Sequence, residues 1–199
     1  MSLWIGWHCI YAMEHGAASV VGVDLSEKML ETARNKTPYE EVEYLKMPIE
    51  EIDFPPDSFD VVLSSLAFHY VESFSALVKR ISACLAPGGN FVFSVEHPVF
   101  TAYGTQEWYR DAEGNKLHWP VDRYFAEGAR DARFLGEDVV KYHKTLTTYL
   151  NTLLQAGLEI IGIAEPQPDE RMLKDVPDME EELRRPMMLI VSAQKKAEK

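Results

Sequence analysis

Positive charge is in short supply: 20 Lys and Arg stand against 32 Asp and Glu, a formal net charge of −12 over 199 residues. That deficit argues against nucleic acid as a main partner, because holding a phosphate backbone takes clustered Lys and Arg. It equally disfavours an anionic membrane surface. Cysteine is scarce as well. Cys9 and Cys84 are the only two and lie far apart, so no disulfide framework is expected and a reduced, cytoplasmic setting is. A metal site is not expected either. His8, Cys9 and His15 lack paired-ligand spacing and crowd into one helical segment, which does not easily close a tetrahedron. No apolar run reaches the roughly 18–20 residues of a membrane span. The apolar start MSLWIGWHCIYAM has no basic leader and no small-residue cleavage pattern, so it does not read as a secretory segment. A G-x-S-x-G elbow and a Walker loop are both missing.

What is present alternates. Trp7 to His15 has helical spacing with Gly16 as its stop. Ala18 to Asp24 is a continuous apolar run of buried-strand type. Ser26 is placed to N-cap a helix over Glu27 to Asn35. Val42 to Lys46 and Phe59 to Ser64 read as strands, Phe74 to Leu85 as an amphipathic helix, and Pro87-Gly88-Gly89 as the turn into a strand over Phe91 to Val95. This order predicts one α/β domain over 1–199, Rossmann-like and doubly wound, with a mainly parallel sheet. The segments Leu158 to Ala164 and Met187 to Ala193 would close it as an antiparallel edge pair. Between them, His97 to Gly136 lacks periodicity and carries eight of the 22 aromatics. A stretch this long without regular structure is usually functional. Residues 97–137 are therefore expected to form a substrate-side lid, or else an insertion with its own small core. Val139 to Ala156 is expected to be helical.

Asp24 stands out. It closes an apolar strand 18 residues after Gly6, the place where doubly wound folds put the carboxylate that binds a nucleotide ribose. Taken alone it suits a nicotinamide enzyme too, so an NAD(P)-dependent oxidoreductase is the alternative at this point. The longer segments VVGVDLSEKML, EYLKMPIEEIDFPPDSFDVVLSSLAFHYV and LAPGGNFVFSVEHP resemble the class I S-adenosylmethionine-dependent methyltransferases, of the small-molecule type. The resemblance covers nearly the whole chain. It implies a methyl transfer from S-adenosylmethionine to a small molecule, and it implies site residues. Asp24 would hold the cofactor ribose, with Gly6 matching the last glycine of the family's loop. Leu25 and Met29 would pack beside the adenine, with Pro48, Ile49 and Glu50 at its edge, and Ser26 would be among the cofactor-binding residues. Ser64 and Ser65 would stand near the methionine part.

Methyl transfer from a sulfonium needs alignment above all, and a base only where the acceptor must lose a proton. Candidate catalytic groups are His69 and Tyr70 after the fourth family strand, Glu96 and His97 after the fifth, and His143. Trp119 and Tyr124 are candidates for the acceptor wall. The family opens with a strand and an acidic-x-G-x-G-x-G loop, and SLWIG stands in their place. The chain therefore reads as lacking the central first strand and roughly 40 residues or more around it. Two strand edges are then expected to be unpaired, at 18–24 and 59–64. They would be satisfied by another chain in a homo-oligomer, by a swapped segment, or by Ser2 to Ile5. The corresponding functional alternative is a chain that keeps the fold but is impaired in cofactor binding and inactive.

Overall fold

The computed structural model describes residues 6–134 and 136–197; Ser2 to Ile5 lie outside them. The first half alternates as its periodicity predicts. Helix α1 (Trp7–Glu14) leads to strand β1 (Val20–Asp24), helix α2 (Glu27–Lys36) and strand β2 (Val42–Lys46). Ser26 caps α2, its hydroxyl accepting from the Met29 N–H at 3.4 Å. A 3-10 turn over Ile49–Glu51 precedes strand β3 (Phe59–Ser65), and another over Phe68–Tyr70 precedes helix α3 (Phe74–Cys84) and strand β4 (Leu85–Glu96).

Strands β1 and β2 pair in parallel, as do β3 and β4. The chain ends in strand β9 (Leu158–Ala164) and strand β10 (Met188–Lys195), with helix α6 (Glu170–Asp175) between them. Strand β10 runs antiparallel between β4 and β9. This is the Rossmann-like α/β arrangement with an antiparallel edge. It comes in two pieces. One sheet is β1-β2, the other β3-β4-β10-β9, and among the described residues no strand joins β1 to β3.

The core divides in the same way. The larger cluster gathers Phe68, Phe74, Phe91, Phe93 and Tyr149, whose rings meet edge-on or tilted, with Phe91 and Phe93 stacked at 5.1 Å. The smaller holds Cys9, Leu30, Ala33 and Tyr44. Gly22 sits against that smaller cluster, where a Cβ would come within 2.7 Å of the Tyr44 ring. No side chain fits between the β1 backbone and this tyrosine, so the apolar run of β1 is broken by a glycine.

Between β4 and β9 the chain departs from the helical reading of Val139 to Ala156. A short helix α4 (Pro98–Thr101) and the small pair β5 (Tyr109–Arg110) and β6 (Lys116–His118) come first. Then strand β7 (Gly128–Phe134) pairs antiparallel with strand β8 (Glu137–His143), and only Leu146–Gln155 forms helix α5. Val139 and Val140 favour the pleated form, and Gly136, with φ of +89°, supplies the turn. In β8, Lys141 and His143 alternate onto one buried face.

Candidate cofactor and acceptor site

The ends of β1, β3 and β4 carry most of the candidate residues. At the end of β1, Asp24 Oδ1 accepts the Ser26 N–H at 2.8 Å and the Asp24 carbonyl accepts from Met47 at 3.2 Å. This hydrogen bonding ties the loop before α2 to the loop after β2. Beside it Leu25 is 66% exposed, an apolar side chain standing open at the rim, while Met29 is half-buried. Pro48 caps the 3-10 turn in which Ile49 is half-buried and Glu50 exposed. Gly6 heads α1 with φ of +74°, and a Cβ there would come within 2.8 Å of Tyr44 Oη. Glycine is required at that position on both counts.

At the end of β3, Ser64 is buried and its hydroxyl has no hydrogen-bond partner. Ser65 Oγ accepts from Ser94 at 3.4 Å. Leu66 follows with φ of +49°, a costly conformation for a leucine, held by its N–H bond to the Ser94 carbonyl at 2.9 Å.

The two histidines nearest these strand ends are held neutral. His69 is 2% exposed, and its Nδ1 accepts the Glu96 N–H at 3.3 Å, which leaves the proton on Nε2. Burial, followed by the charges of Lys141 and Lys144, pushes its pKa down to about 4 against the pull of Glu96. His97 accepts from the Val99 N–H at 3.0 Å, so it caps α4. Its Nε2 lies 2.8 Å from Glu165 without the direction of a hydrogen bond. His143 has both nitrogens in use, with Thr101 Oγ1 and the Tyr124 carbonyl each at 2.8 Å. It ends β8 and does not begin a helix.

Burial lowers the pKa of all three. The unfolded chain therefore binds more protons than the folded one between about pH 4 and 6.5, so stability falls as pH drops through that window. His69 alone contributes about 3 kcal/mol of that loss. His69→Phe is expected to flatten the acid limb of a urea-midpoint titration between those pH values.

The residues around Glu96 were not legible as a set. Lys141, 1% exposed, donates to Glu96 Oε1 at 2.6 Å and to Gln106 Oε1 at 2.8 Å, and Gln106 donates to Glu96 Oε2 at 2.6 Å. The three side chains close a ring that joins β4, the segment after α4, and β8. Tyr70 lies over it, with Lys141 Nζ 6.0 Å from its ring centre, and its hydroxyl pKa is raised by burial and by Glu96. Period-two reading of VVKYH would have put Lys141 on the buried face; the helical reading hid it.

Farther along, Trp119 stacks on Phe100 at 4.9 Å and donates to the Val99 carbonyl at 3.2 Å. Arg185 lies 4.1 Å from the Trp119 ring centre and 4.7 Å from that of Phe100, and is held by Glu182 at 2.6 and 3.1 Å. Tyr124 accepts from the Leu146 N–H at 3.1 Å, so its hydroxyl is tied to the start of α5.

A family model described as a methyltransferase domain matches residues 5–93. The structure of an S-adenosylmethionine-dependent methyltransferase from Mesorhizobium loti is 44% identical, covering 96% of this chain and 87% of that one, with a TM-score of 0.88. A protein from Listeria monocytogenes, described as a candidate enzyme of the same kind, is 56% identical over 96% of this chain and 86% of its own, with a TM-score of 0.92. The chain belongs to the class I S-adenosylmethionine-dependent methyltransferases. Its cofactor is S-adenosylmethionine, and its activity class is methyl transfer from that cofactor. The nicotinamide alternative drawn from Asp24 is not retained: it rested on one carboxylate, whereas the methyltransferase match spans the chain. A ubiquinone biosynthesis O-methyltransferase from Coxiella burnetii is 29% identical over 45% of this chain, a match spanning only 39% of that enzyme. No helix among the described residues is long and apolar enough to cross a membrane.

Proposed function

We propose that the chain moves the methyl group to a small, partly apolar acceptor that enters beneath residues 97–137, with Asp24 at the nucleoside end and Glu96 at the acceptor end. The observation that carries this reading is the ring of Glu96, Gln106 and Lys141 at the end of β4. It is a buried polar group set among aromatic residues, on the side of the sheet where open α/β folds bind ligands.

The residues present fit the cofactor. Asp24 ends its strand with a carboxylate, which accepts from two vicinal hydroxyls at once. Leu25 offers exposed apolar surface for an adenine, and Ser64 an unpartnered buried hydroxyl. When bound, S-adenosylmethionine supplies a methyl carbon made electrophilic by its sulfonium. Everything else is positioning. Glu96 has an unused lone pair on each oxygen after Lys141 and Gln106 are counted, and we assign it to receive the acceptor's proton. His69, neutral with its proton on Nε2, donates to the acceptor and is not a base. Phe100 and Trp119 keep water out of the site.

A second reading is favoured by the split sheet: a chain that keeps the fold and holds the cofactor weakly. The Coxiella match favours a hydroxyl as the acceptor atom. The test is methyl-labelled cofactor with a panel of small phenols, carboxylic acids and amines. Labelled product from a phenol is expected, with Trp119→Ala raising KM for that acceptor several-fold and leaving KM for the cofactor unchanged. Product formed equally well by Glu96→Gln would contradict the role given to Glu96.

A further inference from the structure

We infer that Arg185 forms a carboxylate site at the Glu96 end of β4: the Nε side of its guanidinium takes the acid group of a small aromatic acid, so that the methyl acceptor is a phenol that also carries a carboxylate. The identity of that acid as methyl acceptor rests on the proposed function; the carboxylate site does not.

Pro186 sets the place of Arg185. A residue before proline is pushed into the extended region. Arg185 lies there, with φ of −158° and ψ of 152°, and ends a 3-10 turn over Met179–Arg184. Strand β10 starts three residues on, at Met188, which stands opposite Glu96 in the pairing with β4. Three residues of extended chain span about 10–11 Å at most, so Arg185 stands at the Glu96 end of the sheet. The His97 N–H fixes the approach, donating to the Met187 carbonyl at 2.8 Å.

The Arg185 side chain is only 6% exposed. A guanidinium has five N–H donors in one plane. Two of its sides can therefore take a carboxylate by paired bonds: the two Nη groups together, or Nε with the Nη beside it. Glu182 occupies the first side, at 2.6 Å from Nη1 and 3.1 Å from Nη2. Each Nη carries a second hydrogen, so the other side stays intact. There Nε is buried and has no hydrogen-bond partner among the described residues.

Three rings enclose the group. The guanidinium carbon lies 4.1 Å from the ring centre of Trp119, 4.7 Å from that of Phe100 and 5.4 Å from that of Trp108. Ring stacking and one counterion suffice to pin the turn to this aromatic wall, and neither uses Nε. Among rings rather than water, a charged donor binds an anionic oxygen more strongly. Two parallel N–H groups match the two oxygens of a carboxylate and not a lone hydroxyl. The rings suit a flat, apolar body behind that acid group.

The test is equilibrium dialysis of the full 199-residue chain against the three hydroxybenzoate isomers and the matching neutral hydroxybenzamides, with S-adenosylhomocysteine present and absent. At least one acid is expected to bind about ten- to a hundredfold more tightly than its amide. Arg185→Lys keeps a cation beside Glu182 but removes the planar fork, and should lose that preference. Glu182→Gln should bind the acid more tightly, because the ligand then supplies the charge that Glu182 supplied; a damaged fold gives no such gain. Acids and amides that bind alike, or not at all, overturn the inference. So does a preference that survives Arg185→Lys, and so does acid binding unchanged or weakened in Glu182→Gln. Binding of an acid that depends on Arg185, with no label passed to it from methyl-labelled cofactor, leaves the carboxylate site standing and overturns its role for the methyl acceptor. Label passed to the amides as readily as to the acids leaves the proposed function standing and overturns the site.

Discussion

Glu96→Ala is expected to lower the unfolding free energy by about 3–5 kcal/mol, the cost of stranding a buried ammonium. Lys141 is 1% exposed, and Glu96 is its partner at 2.6 Å. Alanine removes that carboxylate, and the Gln106 carbonyl at 2.8 Å carries no charge to replace it. For a chain of this size the melting midpoint should fall by roughly 10 °C. The double variant Glu96→Leu/Lys141→Met removes both charges and should recover most of the loss, since an apolar pair of similar volume replaces a buried ion pair at little cost. Scanning calorimetry of the three proteins decides it. A single variant that melts with the parent would mean that Lys141 is not charged in the fold or finds another counterion.

Asp24→Ala is expected to act on binding and not on folding. Hydrogen bonds to a charged group contribute about 1.5–3 kcal/mol, so S-adenosylhomocysteine affinity should drop about ten- to a hundredfold. The bond from the Ser26 N–H lies at an exposed turn, and the loss of a hydrogen bond so placed costs little folding free energy. Asp24→Asn keeps an acceptor oxygen there and should sit between the two. An Asp24→Ala protein that binds as tightly as the parent would remove Asp24 from the ribose role.

How much of this was legible in the sequence differs along the chain. From Val20 to Glu96 each element is local and strongly patterned. The apolar run VVGVD, the cap at Ser26 and the turn at Pro87-Gly88-Gly89 announce themselves within a few residues. The separation of β1 from β3 was legible too: the edges expected to be unpaired at 18–24 and 59–64 belong to these two strands, and no strand among the described residues joins them. The stretch from His97 to His143 was not. Its order depends on partners distant in sequence: Arg185 on Trp119, Gln106 and Lys141 on Glu96, Tyr124 on Leu146. None of these pairs leaves a periodic trace. Valines at 139 and 140 beside a helix-like spacing were read as helix, and the β7-β8 hairpin won because Gly136 turns the chain back on itself. Lys141 lies on the buried face only in the pleated register of β8. Histidine chemistry is legible in the sequence, whereas the partners are not: His97 Nδ1 caps α4 and both ring nitrogens of His143 are hydrogen-bonded.

The central claim is that the ends of β1, β3 and β4 hold S-adenosylmethionine in this chain. Titration calorimetry of the purified protein with S-adenosylhomocysteine, and with NAD as the control, tests it most directly. Saturable one-to-one binding of S-adenosylhomocysteine with no heat from NAD is the expected result. Binding of NAD alone, or no binding of either ligand by a protein shown to be folded, would contradict it.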